Sequence, residues 1–186
     1  MSPSESEPTS HGRHLAGFPT SNGPLAPTGH PRATVQKVVS GGQTGVDRAA
    51  LDVALELGLA RGGWCPKGRK AEDGRIAPQY PLNETPSEVY EQRTEWNVRD
   101  SDGTLVLAWG RPTEGTAFTI EVARRLGKPC LVIDLAAQTS LPPVCTWARD
   151  HGIRTLNVAG PRESKSPGIH AHAREFLLQL LSPSPD

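Results

Sequence analysis

The sequence predicts an α/β chain, a Rossmann-like three-layer sandwich around a mainly parallel central sheet. Short apolar runs alternate with longer amphipathic ones from Val35 onward. The run "TLVLAW" at 104–109 is apolar throughout, as a strand covered on both faces of a parallel sheet must be. Turns rich in Gly and small hydroxyls follow the runs, where a strand hands over to a helix. Strands alternating with helices imply right-handed crossovers, which place helices on both faces of the sheet.

Each element has its own reason. "VQKVVS" reads as the first strand, and 46–57 as a helix with Ala49, Ala50, Val53, Ala54 and Leu57 on its inner face. Gly58 then stops it. The stretch 61–82, "RGGWCPKGRKAEDGRIAPQYPL", is expected to be irregular and at least partly a surface loop. A helix is expected to start near Thr85, with its hydroxyl as cap, Pro86 in the first turn and Glu88 completing a capping box. It carries Tyr90, Arg93, Trp96 and Asn97. After the strand at 104–109 come a turn at 110–116 and a helix at 117–126 that "GKP" ends. "CLVIDL" is the next strand, 143–151 a helix, "IRTLNVAG" a further strand and 169–181 the last helix.

A chain of 186 residues suits one domain, expected over 34–182. Residues 1–33, dominated by Ser, Pro, Gly, Thr and His, are expected to be a disordered leader or the product of a mis-assigned start codon; 183–186 are expected to form a loose tail. The formal net charge of +0 gives no global field for nucleic acid or an acidic membrane, and no apolar stretch is long enough to span a bilayer. Three cysteines without a CxxC pair argue against a disulfide framework and a structural zinc site, and suit a reducing cytoplasm. Cys130, in "KPCLVIDL", reads as a core residue. Cys65, in "GGWCPKG", reads as a thiol that a loop could expose.

In an open α/β sheet, ligands bind beyond the carboxyl ends of the strands. Three turns there are loaded for the purpose: "SGGQTGVD", "WGRPTEGT" and "NVAGPRESKSPG". Glycine lets a ligand approach the backbone, and the free N–H groups of a helix N-terminus favour an anion, in a cell most often phosphate. A phosphate is therefore expected against the N–H groups of 42–46, the stretch containing Gly42 and Gly45 beside Gly41, or against those of Gly115 and Thr116. The first turn lacks the Lys and hydroxyl of a P-loop and the spacing of GxGxxG, so an ATPase or a dinucleotide dehydrogenase has little support. Asp47 has two readings, a helix cap or a partner for a ligand hydroxyl or amine. Arg93 and Asn97, four apart, share a helix face that is either solvated or turned to a phosphate, which the planar fork of Arg93 suits. Arg162 beside Ser164 in the third turn invites the same reading. His170 and His172 do not face each other on a helix, so no paired metal ligation is expected.

Together "SGGQTGVDRAALD", "GGWCPKGR", "EWNVRDSDGTLVL", "EGTAFT" and "LNVAGPRESKSPGI" resemble the molybdenum carrier family, a branch of the LOG/DprA-like Rossmann superfamily. The resemblance runs from about Val35 to Leu181. It implies a cytoplasmic, non-catalytic carrier of molybdenum cofactor, a homo-oligomer (dimer or tetramer), with molybdoenzymes or cofactor-synthesis proteins as partners. The cargo would be held through its phosphate and pterin, with Gln43, Thr44, Thr113 and Thr116 as polar contacts. The wider superfamily also holds hydrolases of nucleoside 5′-monophosphates and nucleotide-sensing domains, and the hydrolases use a PGGxGTxxE motif. In "GRPTEGTAFTIE" the position of that motif's Glu falls on Thr119, and Glu121 comes two residues late.

Overall fold

The computed structural model describes residues 35–112, 114–137 and 140–183. Its elements are β1 (Lys37–Val39), α1 (Val46–Glu56), β2 (Ala60–Gly62), β3 (Trp64–Cys65), a 3-10 turn (Lys67–Arg69), β4 (Lys70–Ala71), β5 (Gly74–Arg75), β6 (Asn83–Glu84), α2 (Tyr90–Arg99), β7 (Gly103–Ala108), α3 (Glu114–Arg125), β8 (Cys130–Asp134), α4 (Leu141–Asp150), β9 (Thr155–Ala159) and α5 (Ile169–Leu181). A five-stranded sheet runs in the order β2-β1-β9-β7-β8, with every pairing parallel. The Rossmann-like sandwich predicted from the alternation is the architecture observed.

Handedness explains the layers. The chain leaves β1 towards β2 through α1, and leaves β7 in the opposite direction, towards β8, through α3. Right-handed crossovers in opposite directions lie on opposite faces of the sheet. The packing follows: Ala49, Ala50 and Val53 of α1 join Ala173 and Leu177 of α5 and Val144 and Ala148 of α4 in one core. Val98 of α2 packs with Val122 and Ala123 of α3 in another. Strand β7, buried along its whole length, separates the two. β9 lies between β1 and β7, so its carboxyl end sits where the chain turns to opposite faces.

Four expectations are corrected. Helix α2 begins at Tyr90, not near Thr85. The Thr85 hydroxyl donates to the carbonyls of Ser87 (2.8 Å) and Cys65 (3.3 Å), which ties it to β3 and takes it away from capping. Ser87 serves the approach to the helix: its Oγ accepts from Val89 N, and its N–H donates to the side chain of Gln92. The stretch 61–82 is also more ordered than its Gly and Pro content suggests. Cys65, Ala71, Ile76, Tyr80 and Leu82 build a separate small core with Leu51, so the Cys65 thiol is buried. One residue organises it. Arg69, held at φ 56°, donates to the carbonyls of Ile76, Ala77, Tyr80 and Leu82 at 2.8–3.0 Å. Cys130 packs against Val98, Val122 and Ala123 but is only half-buried, because β8 is an edge strand. Helix α3 starts at Glu114, three residues before the predicted position, which brings Gly115 and Thr116 into its first turn. The expected leader at 1–33 lies outside the described residues.

Candidate ligand-binding site

A cavity of about 330 Å³ opens at the carboxyl edge of the sheet, at the switch point beside β9. That volume is at the lower end for a small-molecule site. One wall is the first turn of α3, with Gly115 and Thr116, followed by Phe118 and Thr119. Opposite lies the β9–α5 turn, with Gly160, Pro161, Arg162 and Lys165. Tyr90, Arg93 and Thr94 of α2 form the third side, and Gln43 of the β1–α1 turn and Asp47 of α1 complete the lining.

The interior is built around one ion pair. Arg93 Nη1 donates to Asp47 Oδ2 at 2.9 Å, with only 15% and 4% of the two side chains exposed. Burial pushes the Asp47 carboxyl above its ordinary value; the Arg93 charge, the Gln43 N–H and the Ser40 hydroxyl pull the other way. Gly41 makes room for the pair: a Cβ there would collide with the Arg93 guanidinium and lie 2.8 Å from Asp47 Oδ2. Asp47 is therefore no helix cap. Gly45 occupies that position, at φ 76°, and no side chain caps α1.

Arg93 Nε and Gln43 Nε2 are buried without a partner among the described residues. A small polar recess of about 10 Å³, lined in part by Arg93, Asn97, Thr119 and Asn157, lies alongside the main cavity. It has room for about one water.

Two N–H groups of the expected first-turn cradle bond within the protein. Val46 N donates to Pro161 O at 3.3 Å and Thr44 N to Gln43 Oε1 at 3.1 Å. Gly42, at φ 73°, turns its Cα towards Leu82 and Ile76 of the small core, and does not line the cavity. Thr44 and Ser164 also point elsewhere. Both hydroxyls donate to the Glu72 carboxylate, which accepts the Ser164 N–H as well. Asn97 brackets β3, accepting from Trp64 N at 2.8 Å and donating to Trp64 O at 2.9 Å. Thr113 lies outside the described residues. The cavity thus gathers Gln43, Asp47, Arg93, Gly115, Thr116 and Arg162 from the expected set, while Gly41 and Gly45 shape the turn behind it.

Sequence reasoning passed over Thr94 and Lys165 as site residues, and named Tyr90 only as part of its helix. The face Tyr90–Arg93–Thr94–Asn97 follows helical spacing, and Thr94 is buried on it, so periodicity carried that signal. Thr119 does line the cavity, at the position where the superfamily's hydrolases place a Glu; its hydroxyl donates to Gly115 O at 2.9 Å. Glu121 is exposed and His170 pairs with Asp52, and neither lines the cavity. Among the described residues, no His, Cys, Asp and Glu cluster could hold a metal ion, and no helix is long and apolar enough to cross a membrane.

Comparisons with known proteins agree with this frame. A crystal structure at 1.45 Å resolution, described as "Putative molybdenum carrier protein" from Syntrophus aciditrophicus SB, is similar at 44% identity and a TM-score of 0.78. The similarity covers 81% of this chain and 98% of that one. No curated protein matches the chain. Residues 38–181 match the model of the circularly permutated YpsA SLOG family. The chain belongs to that family.

Proposed function

We propose that the protein is a non-catalytic carrier that holds a small phosphorylated ligand in the switch-point cavity, with molybdenum cofactor as its cargo. The observation that carries this reading is the convergence of cationic and backbone donors on one cavity, from three of its sides. The first turn of α3 presents Gly115 and Thr116 to the cavity, Arg162 and Lys165 face it from the β9–α5 turn, and Arg93 uses only Nη1 on Asp47. A helix N-terminus beside guanidinium groups is a ready anion site. Arg162 also stacks over the Tyr90 ring at 4.8 Å, which places an aromatic surface next to the charge.

The residues fit molybdenum cofactor as cargo. Its phosphate would meet the α3 N-terminus with Arg93 and Arg162, and its pterin would meet Gln43, Tyr90 and Phe118. The metal would arrive chelated by the cofactor's own dithiolene. The similar crystal structure carries the name of a molybdenum carrier, which supports the same class of ligand. The thiols of Cys65, Cys130 and Cys145 are free, consistent with a reducing cytoplasm. The open edge of β8, with Val132 exposed, supports a homo-oligomer; molybdoenzymes or cofactor-synthesis proteins would receive the cargo.

One observation favours a hydrolase of nucleoside 5′-monophosphates instead: a buried carboxyl with a raised pKa, Asp47, lines the cavity. Incubation with a panel of nucleoside monophosphates separates the readings. A carrier releases no free base above background, and mass spectrometry of protein purified without oxygen finds a phosphorylated pterin. Robust base release, lost on substitution of Glu114, Glu121 or Asp47, overturns the carrier reading.

A further inference from the structure

Gln43 is 3% exposed and lines the cavity, yet its Nε2 has no acceptor among the described residues. The amide cannot turn over to hide the defect. Its Oε1 accepts from Thr44 N at 3.1 Å and from Glu72 N at 2.9 Å, two donors that would face an NH₂ group after a flip. The donor is therefore held in place and left unused, an arrangement that native proteins seldom keep without a purpose. Four residues on, Asp47 presents a carboxylate in the same lining. That carboxylate accepts from Arg93 and from Gln43 N, while the Ser40 hydroxyl donates to Val158 O. With about four lone-pair sites on a carboxylate, it can take one further N–H.

Resting on the reading of the cavity as a site for a phosphorylated ligand, we infer that Gln43 and Asp47 together read a lactam edge, a ring carbonyl beside a ring N–H. Gln43 Nε2 donates to the carbonyl oxygen, and the Asp47 carboxylate accepts the neighbouring N–H. The edge occurs in pterins, guanine and hypoxanthine. Adenine carries an amino group and a bare ring nitrogen at the same positions, so it sets donor against donor and acceptor against acceptor. A site built to hydrogen-bond one pattern rejects the inverted one strongly, because its buried polar groups are left unpaired. Glu72 is a positioning residue here, since its backbone N–H fixes the Gln43 amide.

IMP and AMP differ only at this edge, which makes them the probes. Calorimetric titration of the full chain should show IMP binding at least about tenfold more tightly than AMP, a difference of about 1.4 kcal/mol. Gln43→Met, of similar size but without the donor, should bring IMP down to the AMP level. Ribose 5-phosphate, which has no ring edge, should compete with IMP and bind more weakly. Equal affinities for IMP and AMP, both displaced by ribose 5-phosphate, would overturn the lactam assignment and leave the anion site standing. Binding of none of the three would overturn both. If Gln43→Met fails to fold, the ratio of IMP to AMP on the unaltered chain decides by itself.

Discussion

Gly41, Asp47 and Arg93 form a unit in which each residue exists for the next. The missing side chain at 41 admits the guanidinium, the guanidinium neutralises the carboxylate, and the pair fixes the interior of the cavity. Gly41→Ala should therefore cost about 1–3 kcal/mol through overpacking, read as a lower urea midpoint, and should weaken ligand binding too. Arg93→Lys keeps the charge but loses the fork, one tine on Asp47 and the other for the ligand. Its expected effect is a loss of affinity of roughly tenfold; an unchanged affinity would make charge alone the contribution of Arg93. Asp47 adds a pH dependence whose sign follows from its raised pKa. The folded state holds this proton more tightly than the unfolded chain does. The stability gained is full below the ordinary value of 3.8 and is lost as pH rises through the raised value. Asp47→Asn should remove that decline from urea midpoints measured as pH rises from the ordinary value of 3.8, while lowering stability overall because Arg93 is left buried and unpaired.

At the scale of elements, the stretch 61–82 was the least legible part of the sequence. Gly and Pro content reads as a loop, and no periodicity shows that Arg69 clamps the carbonyls of residues 76–82. A long-range hydrogen-bond pattern of this kind leaves no local signature. Arg69→Met should cost about 3 kcal/mol, because carbonyls that accept from a charged donor lose it. It should also loosen this region more than the central sheet in hydrogen exchange. The hairpin of β4 and β5 was equally hidden. It docks through Glu72 on Thr44 and Ser164 and through Asp73 on Arg48, whose Nη1 lies 2.5 Å from Asp73 Oδ2. Burial raises the Glu72 pKa, but the hydrogen bonds from Ser164 and Thr44, aided by Arg162, outweigh it and hold the carboxyl below 4.5. That stabilisation is present above the ordinary value and lost as pH falls through the folded one. Protection of the Ser164 amide should drop as the solution is acidified below about pH 4.5 while β7 amides stay protected, and Glu72→Gln should abolish the difference. A protection factor for Ser164 that ignores pH would remove Glu72 as the anchor of the hairpin.

For the whole molecule, the alternation of apolar strands and amphipathic helices was legible because burial imposes it at every repeat. Leu105 and Leu107 on β7, or Ala49 and Val53 on α1, sit where their spacing puts them. The strand order was not legible, since a parallel crossover has the same sequence pattern whichever way it steps. Yet that order creates the site: β9 between β1 and β7 opens the crevice between α1 on one face and α3 on the other. The glycine-rich turns lie at the carboxyl edge of the sheet, where the cavity opens. Within the first turn, the Val46 and Thr44 N–H groups and the Thr44 hydroxyl are taken by Pro161, Gln43 and Glu72, long-range and local bonds that no sequence pattern announces. The central claim is that a phosphorylated ligand sits at this switch point, against the first turn of α3. Backbone amide shifts of the full chain, titrated with a phosphorylated pterin such as neopterin monophosphate, test it most directly. The expected result is saturable shifts at Gly115, Thr116, Phe118, Gly160 and Arg162, with β8 amides unmoved. Saturable shifts confined to other surfaces, or none at millimolar ligand, would contradict it.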